Sequence, residues 1–242
     1  MPDYRGIEQQ FSETLGLERH PVAVKFQKTP PGGVPHFIGT EPSGCSFWRL
    51  AQAGGRSTRS PVTITTAIGS YTHNIPLPQE RAEELDQTLS FMTGIGYIKM
   101  EEIPQIPRLP QTPGVVLYAP LGDTPVDPDV VLFAGRPGRI VLLQEAALRA
   151  GLGTQVPLLG RPTCMALPAA LAQGVVVSTG CIRNRVYTDL AGVYSDRAFP
   201  TARPTQNPNR HKHLAGSQCV LPYIGRVLPV ILPFRIAQNN WA

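Results

Sequence analysis

The chain contains four cysteines in 242 residues. Three of them, Cys45, Cys164 and Cys181, stand where a loop meets an expected helix or strand. A thiolate at such a junction can ligate a soft metal or attack an electrophile, and its acidity governs both. Cys181 is the first candidate nucleophile: Gly180 precedes it, and Arg183 and Arg185 follow with stabilising positive charge. Cys164 follows Pro162-Thr163 at an expected helix start, where unpaired N–H groups favour an anionic sulfur. Cys45 lies between Gly44 and Ser46; Ser43 or Ser46 can cap the helix there, and Phe47-Trp48 beside it suit a core. Each of these thiols also has a plain structural reading, that of a small packed residue.

His73, in the run YTHNIPLP, is the remaining titratable candidate, as a ligand or as a general acid or base near neutral pH. Its structural alternative is a hydrogen bond across a loop. Three overlapping sets result. Cys181, His73 and Arg183 form a catalytic set, and Cys45, Cys164 and Cys181 form a metal set. Gly44, Ser46, Thr163, Thr179, Gly180 and Arg185 offer hydroxyls, N–H groups and charge to an anionic cofactor at a helix start. The spacing excludes several chemistries. There is no CxxC, which argues against a zinc ribbon or a ferredoxin cluster, and there is no Walker A loop, dinucleotide fingerprint, nucleophile elbow or His-Glu-x-x-His. The ligand stays open between an iron–sulfur cluster or other thiolate-bound metal, a redox cofactor and a small anionic metabolite. A cysteine-dependent enzyme with Cys181 as nucleophile, and a structural or interaction protein with core cysteines, are the alternatives.

The elements that must position these residues are legible from periodicity. Ile7, Phe11 and Leu15 have helical spacing, ended by Gly16; PVAVKFQ (21–27) is a short strand. A helix runs from about Cys45 to Ala53 and stops at Gly54-Gly55. PVTITTAIGSYT (61–72) is expected as a strand that turns at Gly69. PLPQERAEELDQTLSFMTG is a helix with Leu85, Leu89 and Met92 on one face and Gly94 as its cap. Four prolines in EEIPQIPRLPQTPG predict an irregular connector. VVLYAPL (115–121) and DVVLFAG (129–135) are buried strands, and 138–151 is a helix with Ile140, Leu143, Ala147 and Leu148 inward. A helix ending at Gly174 and the strand VVVST (175–179) follow. The expected class is α/β or α+β, a mixed sheet with flanking helices.

The two cysteine-headed segments resemble each other. GCSFWRLAQAGG (44–55) and TCMALPAALAQG (163–174) both run from cysteine to Leu-Ala-Gln and glycine. Upstream, PVAVKF parallels DVVLFA; downstream, both stretches reach Tyr-Thr, at Tyr71-Thr72 and Tyr187-Thr188. Two related units, about 21–73 and 129–189, are therefore expected to pack around a pseudo-twofold axis within one domain, 1–199, and to bring their cysteine loops to a shared cleft.

The formal net charge of +5 is concentrated in residues 200–242, where Arg203, Arg210, Lys212, Arg226 and Arg235 meet no acid. A neutral body argues against nucleic-acid binding. This proline-rich segment reads as a disordered basic extension or an out-of-frame stretch, which discounts Cys219, His211 and His213. No apolar run approaches the roughly 18–20 residues of a membrane span, and the first ten residues lack the order of an export signal. A cytoplasmic protein with a small-molecule or metal ligand is expected, and a homo-oligomer stays open.

PVAVKF, CSFWRLAQAG, IGSYTHNIPLP, VVLYAPL, DVVLF, GRPTC and GCIRNRVYTDL together resemble the ArCR family, a domain of unknown function from archaea and anaerobic bacteria. The resemblance covers about residues 10–195. It implies a cytosolic domain with recurrent cysteines, and an anaerobic metal or redox-cofactor setting. Relatives of this kind often carry a cysteine just before GSYTH, where this chain has Thr65-Thr66-Ala67. The resemblance ends before about Phe199.

Overall fold

The computed structural model describes residues 1–37, 44–55, 57–59, 67–135, 137–152, 154–155, 165–173, 175–178 and 217–221. Helix α1 (Tyr4–Leu15) begins where the Asp3 carboxylate accepts the Gly6 N–H at 3.0 Å, and it ends at Gly16 in the left-handed region, φ 58°. Strand β1 (Val22–Gln27) follows, then α2 (Gly44–Gln52), β2 (Ser57–Arg59), α3 (Ala67–Thr72) and α4 (Gln79–Gly94). A 3-10 helix over Met100–Gln105 leads to β3 (Val115–Pro120). Then come β4 (Val130–Gly135), α5 (Pro137–Arg149), β5 (Thr154–Gln155), α6 (Ala166–Gln173), β6 (Val175–Ser178) and β7 (Ser217–Leu221).

The strands form one sheet in the order β2-β3-β1-β4-β7-β6-β5. Neighbours are antiparallel except β5 and β6, so the sheet is mixed, as expected. At its centre β1 meets β4 with Val22 opposite Leu132, Ala23 opposite Val131 and Val24 opposite Val130. Five residues of the basic segment 200–242 supply β7, inside the sheet between β4 and β6.

Side chains alternate across a strand, so each central strand feeds two cores. On one face Ala23, Val131 and Phe133 pack under α1 and α5, with the Phe11 and Phe133 rings 5.0 Å apart. On the other, Val22, Val24, Val116, Tyr118, Val130 and Leu132 pack under α2 and α6. Helices on both faces explain why VVLYAP is buried at every position, the continuous apolar run of a strand with no wet side.

Three local expectations are corrected. Residues 67–72 form helix α3 and not the end of a strand; the β-branched run stops at Thr66, and α3 packs against α4. The 100–105 stretch is regular despite Pro104, because two turns of 3-10 helix lose only that residue's own donor, while Glu102 accepts the Lys99 N–H at 2.8 Å. On α5, Ile140, Leu143 and Ala147 are buried as expected, but Leu148 is 51 % exposed and Ala146 is buried in its place. At about 100° per residue, Leu148 lies well beyond Ile140 on the side away from Leu143 and Ala146.

Candidate functional site

Helix α2 carries the first cysteine. Gly44, Cys45 and Ser46 are its first three residues, and Gly54, at φ 96°, follows its end, matching the expected glycine stop. The helix is anchored by Phe47, whose ring stacks on Tyr118 at 5.6 Å and meets Phe37 edge-on at 5.0 Å. Trp48 and Ala51 complete its buried stripe. This places α2 over β3 and β1, in the same apolar cluster that takes Ala166, Leu167, Ala169 and Ala170 from α6. Helices α2 and α6 therefore share one face of the sheet.

Cys164 precedes Met165, a buried residue at the head of α6, and Thr179 follows the end of β6. Thr163, Cys164, Thr179, Gly180, Cys181, Arg183 and Arg185 themselves lie outside the described residues. Cys219 sits on β7 opposite Phe133, whose ring belongs to the α1 and α5 side of the sheet. Among the described residues no group of three or more His, Cys, Asp or Glu side chains is arranged to hold a metal ion.

His73 is placed fully. It follows α3, is 1 % exposed, and its ring centroid lies 6.0 Å from that of Phe26 on β1. Its Nδ1 is 2.9 Å from the Gly69 carbonyl oxygen, which can only accept. Nδ1 therefore carries the proton and Nε2 is the basic nitrogen. The Thr72 hydroxyl donates to the same carbonyl at 3.1 Å and fixes the turn. Beyond it Asn74 takes φ 54°, and Arg108 donates to the Tyr71 carbonyl at 2.9 Å and to Asn74 Oδ1 at 3.0 Å while its guanidinium covers the Tyr71 ring at 4.3 Å. The histidine thus lies in a rigid corner between α3 and the end of β1, not on an open loop.

Sequence reasoning passed over two polar groups on α2. Trp48 and Gln52 are both buried, and neither the indole Nε1–H nor Gln52 Oε1 has a hydrogen-bond partner among the described residues. The available signal was a glutamine one turn after a tryptophan, on the face that Phe47, Trp48 and Ala51 mark as interior.

No helix among the described residues is long and apolar enough to cross a membrane. No curated protein and no solved structure matches the chain. Residues 10–193, more than half of its length, match the family model described as uncharacterised ArCR. The chain belongs to that family.

Proposed function

We propose that the chain is an internally duplicated α/β protein that binds a metal centre, redox cofactor or small anionic metabolite between α2 and α6 through cysteine-bearing loops. The observation that carries this reading is the register of the outer strands, with which the antiparallel β1–β4 ladder is compatible. Aligning PVAVKF with DVVLFA makes Val22 equivalent to Val130, Ala23 to Val131 and Val24 to Leu132. Exchanging the two units then turns the pair Val22–Leu132 into Val130–Val24, which is also a pair of the sheet, and leaves Ala23–Val131 unchanged. A local twofold normal to the sheet at Ala23–Val131 accounts for this. It also relates β3 to β7 and β2 to β6 in the strand order.

The outer strands support the same operation. Val24 pairs with Tyr118 and Tyr118 with Ser57; the equivalent Leu132 pairs with Val220 and Val220 with Val176. Ser57 and Val176 are thus equivalent, and their separation along the chain equals that of Cys45 and Cys164. α5 and β5 are additions to the second unit. Such an axis puts the heads of α2 and α6 in one layer above Val22, Val24, Val130 and Leu132. Thiolates from Cys45, Cys164 and Cys181 would supply soft ligands there, and the helix starts at Gly44, Ser46 and Thr163, with Thr179, Gly180 and Arg185, would face anionic groups.

Protein purified without oxygen should carry metal, sulfide or a chromophore. Cys45→Ser and Cys164→Ser should each lower that content by a similar factor, because equivalent positions do equivalent work. Colourless, metal-free protein whose thiols react alike and only above about pH 8, the ordinary thiol range, would remove the reading. A second reading, Cys181 as nucleophile assisted by His73 and Arg183, is favoured by the fixed tautomer of His73, whose Nε2 is the basic nitrogen. There, Cys181→Ala should abolish labelling by a thiol reagent at neutral pH while Cys45→Ala leaves it intact.

A further inference from the structure

Helix α4 belongs to neither core of the sheet. It packs against α3, and among its described side chains only Met92 is buried, with Leu85 and Leu89 half-buried. Helices in proteins draw most of their stability from a packed face. On α4 that face is narrow, and the open face is wide.

The open face is not wholly polar. Phe91 is 65 % exposed, Ile95 61 % and Met100 64 %. The Ile95 N–H donates to the Phe91 carbonyl at 3.1 Å, so these two stand one turn apart on the same ridge. Gly96, at φ 71°, then turns the chain, and the Tyr97 and Ile98 N–H groups return to the Met92 carbonyl at 2.9 and 3.3 Å. Met100 follows two residues after this turn closes on the helix end. Scattered apolar side chains are ordinary on a surface, but three gathered at one helix end mark a contact.

The charge around them has one sign. Residues 79–105 hold six acids and two bases, Arg81 and Lys99. Arg81 is engaged by Glu84 at 3.1 Å, while Glu83, Asp86 and Glu101 are exposed. At about 100° per residue, Glu84 lies about 20° around α4 from Phe91 and Glu83 about 80°. The outward ridge is thus acidic at first and apolar at its end, and Glu101 follows Met100. No basic residue stands in the last turn of α4, where the helix dipole is negative.

We propose that this end of α4 is a docking surface for a partner protein that presents a basic amphipathic helix. Apolar side chains of that helix cover Phe91, Ile95 and Met100, and its Lys or Arg side chains face Glu83, Glu84 and Glu101. Three apolar side chains fall short of the roughly 800 Å² per partner of a standard interface, so charge complementarity supplies orientation and encounter rate. A second copy laid face to face would set these acids against their own counterparts. An anionic lipid surface would meet the same repulsion. The inference stands apart from the cysteine site and requires neither metal nor thiolate.

The test uses the full chain and a labelled synthetic helix of leucine and lysine, read by fluorescence anisotropy. Wild type should bind it saturably, and more weakly as salt is raised. The double variant Phe91→Ser, Ile95→Ser should bind at least about tenfold more weakly, and Glu83→Lys, Glu101→Lys should lose a similar factor together with most of the salt dependence. These side chains are exposed, so melting temperatures should stay within about 2 °C of wild type. Val141→Ser, Leu148→Ser on α5 alters two other exposed apolar residues, 50 % and 51 % exposed, and should leave binding unchanged. Equal binding by the α4 variants and wild type would overturn the proposal, as would equal loss in the α5 variant or equal affinity for a leucine–glutamate helix. A wild-type dimer that Phe91→Ser dissociates in analytical ultracentrifugation would overturn it in favour of a second copy. Phe91-dependent sedimentation with phosphatidylglycerol vesicles would overturn it in favour of a membrane.

Discussion

Gly114 sits one step beyond Gln27–Val115, the last pair of the β1–β3 ladder, and has no side chain for a specific reason. A Cβ placed there would lie 2.1 Å from the Lys28 carbonyl oxygen, 2.8 Å from its carbon and 3.1 Å from its Cα. These are backbone atoms and cannot rotate away. A relaxed carbon–oxygen contact needs about 3.3 Å, so in Gly114→Ala the two chains must separate by about 1 Å at this point. That separation weakens the hydrogen bonds of the Gln27–Val115 pair, at about 1 kcal/mol each, and adds the strain of displacing β1, for a total of about 2–4 kcal/mol. For a protein of this size the melting temperature should fall by about 5–15 °C. Differential scanning calorimetry measures this directly. Gly32→Ala is the matched control, since nothing lies within 4 Å of a Cβ there, and its melting temperature should stay within about 2 °C of wild type. Equal melting temperatures for Gly114→Ala and wild type would refute the close-approach argument.

Three other outcomes follow from the packing and the charges. The Tyr4 phenol donates to Asp127 at 2.9 Å, and burial, reinforced by that carboxylate, raises its pKa from 10.0 to about 12. Because the folded value is the higher one, this stabilisation is complete below pH 10 and is lost as pH rises from 10 to 12; Tyr4→Phe should flatten that loss in urea titrations at successive pH values. Asp129 accepts from Lys25 Nζ at 2.6 Å and from the Phe26 N–H at 2.8 Å. Asp129→Ala should therefore lower stability by about 1–3 kcal/mol, because it strands a backbone donor, whereas Lys25→Met, which removes only a partly exposed ion pair, should cost less than about 1 kcal/mol; the reverse order would contradict the assignment. Phe47→Ala should lose about 3–5 kcal/mol in urea denaturation, because it removes the ring stacked on Tyr118 and packed edge-on against Phe37.

Length, period and punctuation in the chain determined most of the elements on their own. The Ile7, Phe11, Leu15 spacing and Gly16 define α1, the glycine pair after Gln52 stops α2, and the unbroken apolar run of VVLYAP states that both faces of β3 are covered. The family, too, was legible: the motifs that resemble it all lie within residues 10–193, the span of the matching family model. These signals are local: they depend on which residues lie within a turn or two of each other. The tertiary structure decided everything that depends on distant partners. Only pairing could put Ser217–Leu221 between β4 and β6, since that strand sits within a proline-rich, acid-free segment that reads as an extension of the folded body. Packing against α4 made residues 67–72 helical where the preceding β-branched residues suggested otherwise. The interior position of His73 is likewise invisible to periodicity, because a polar residue just past a helix end reads as exposed until another layer is laid over it. The likeness of the two cysteine-headed segments is visible in the sequence, but the partner of each strand, and hence the layer in which α2 and α6 lie, is a property of the assembled sheet.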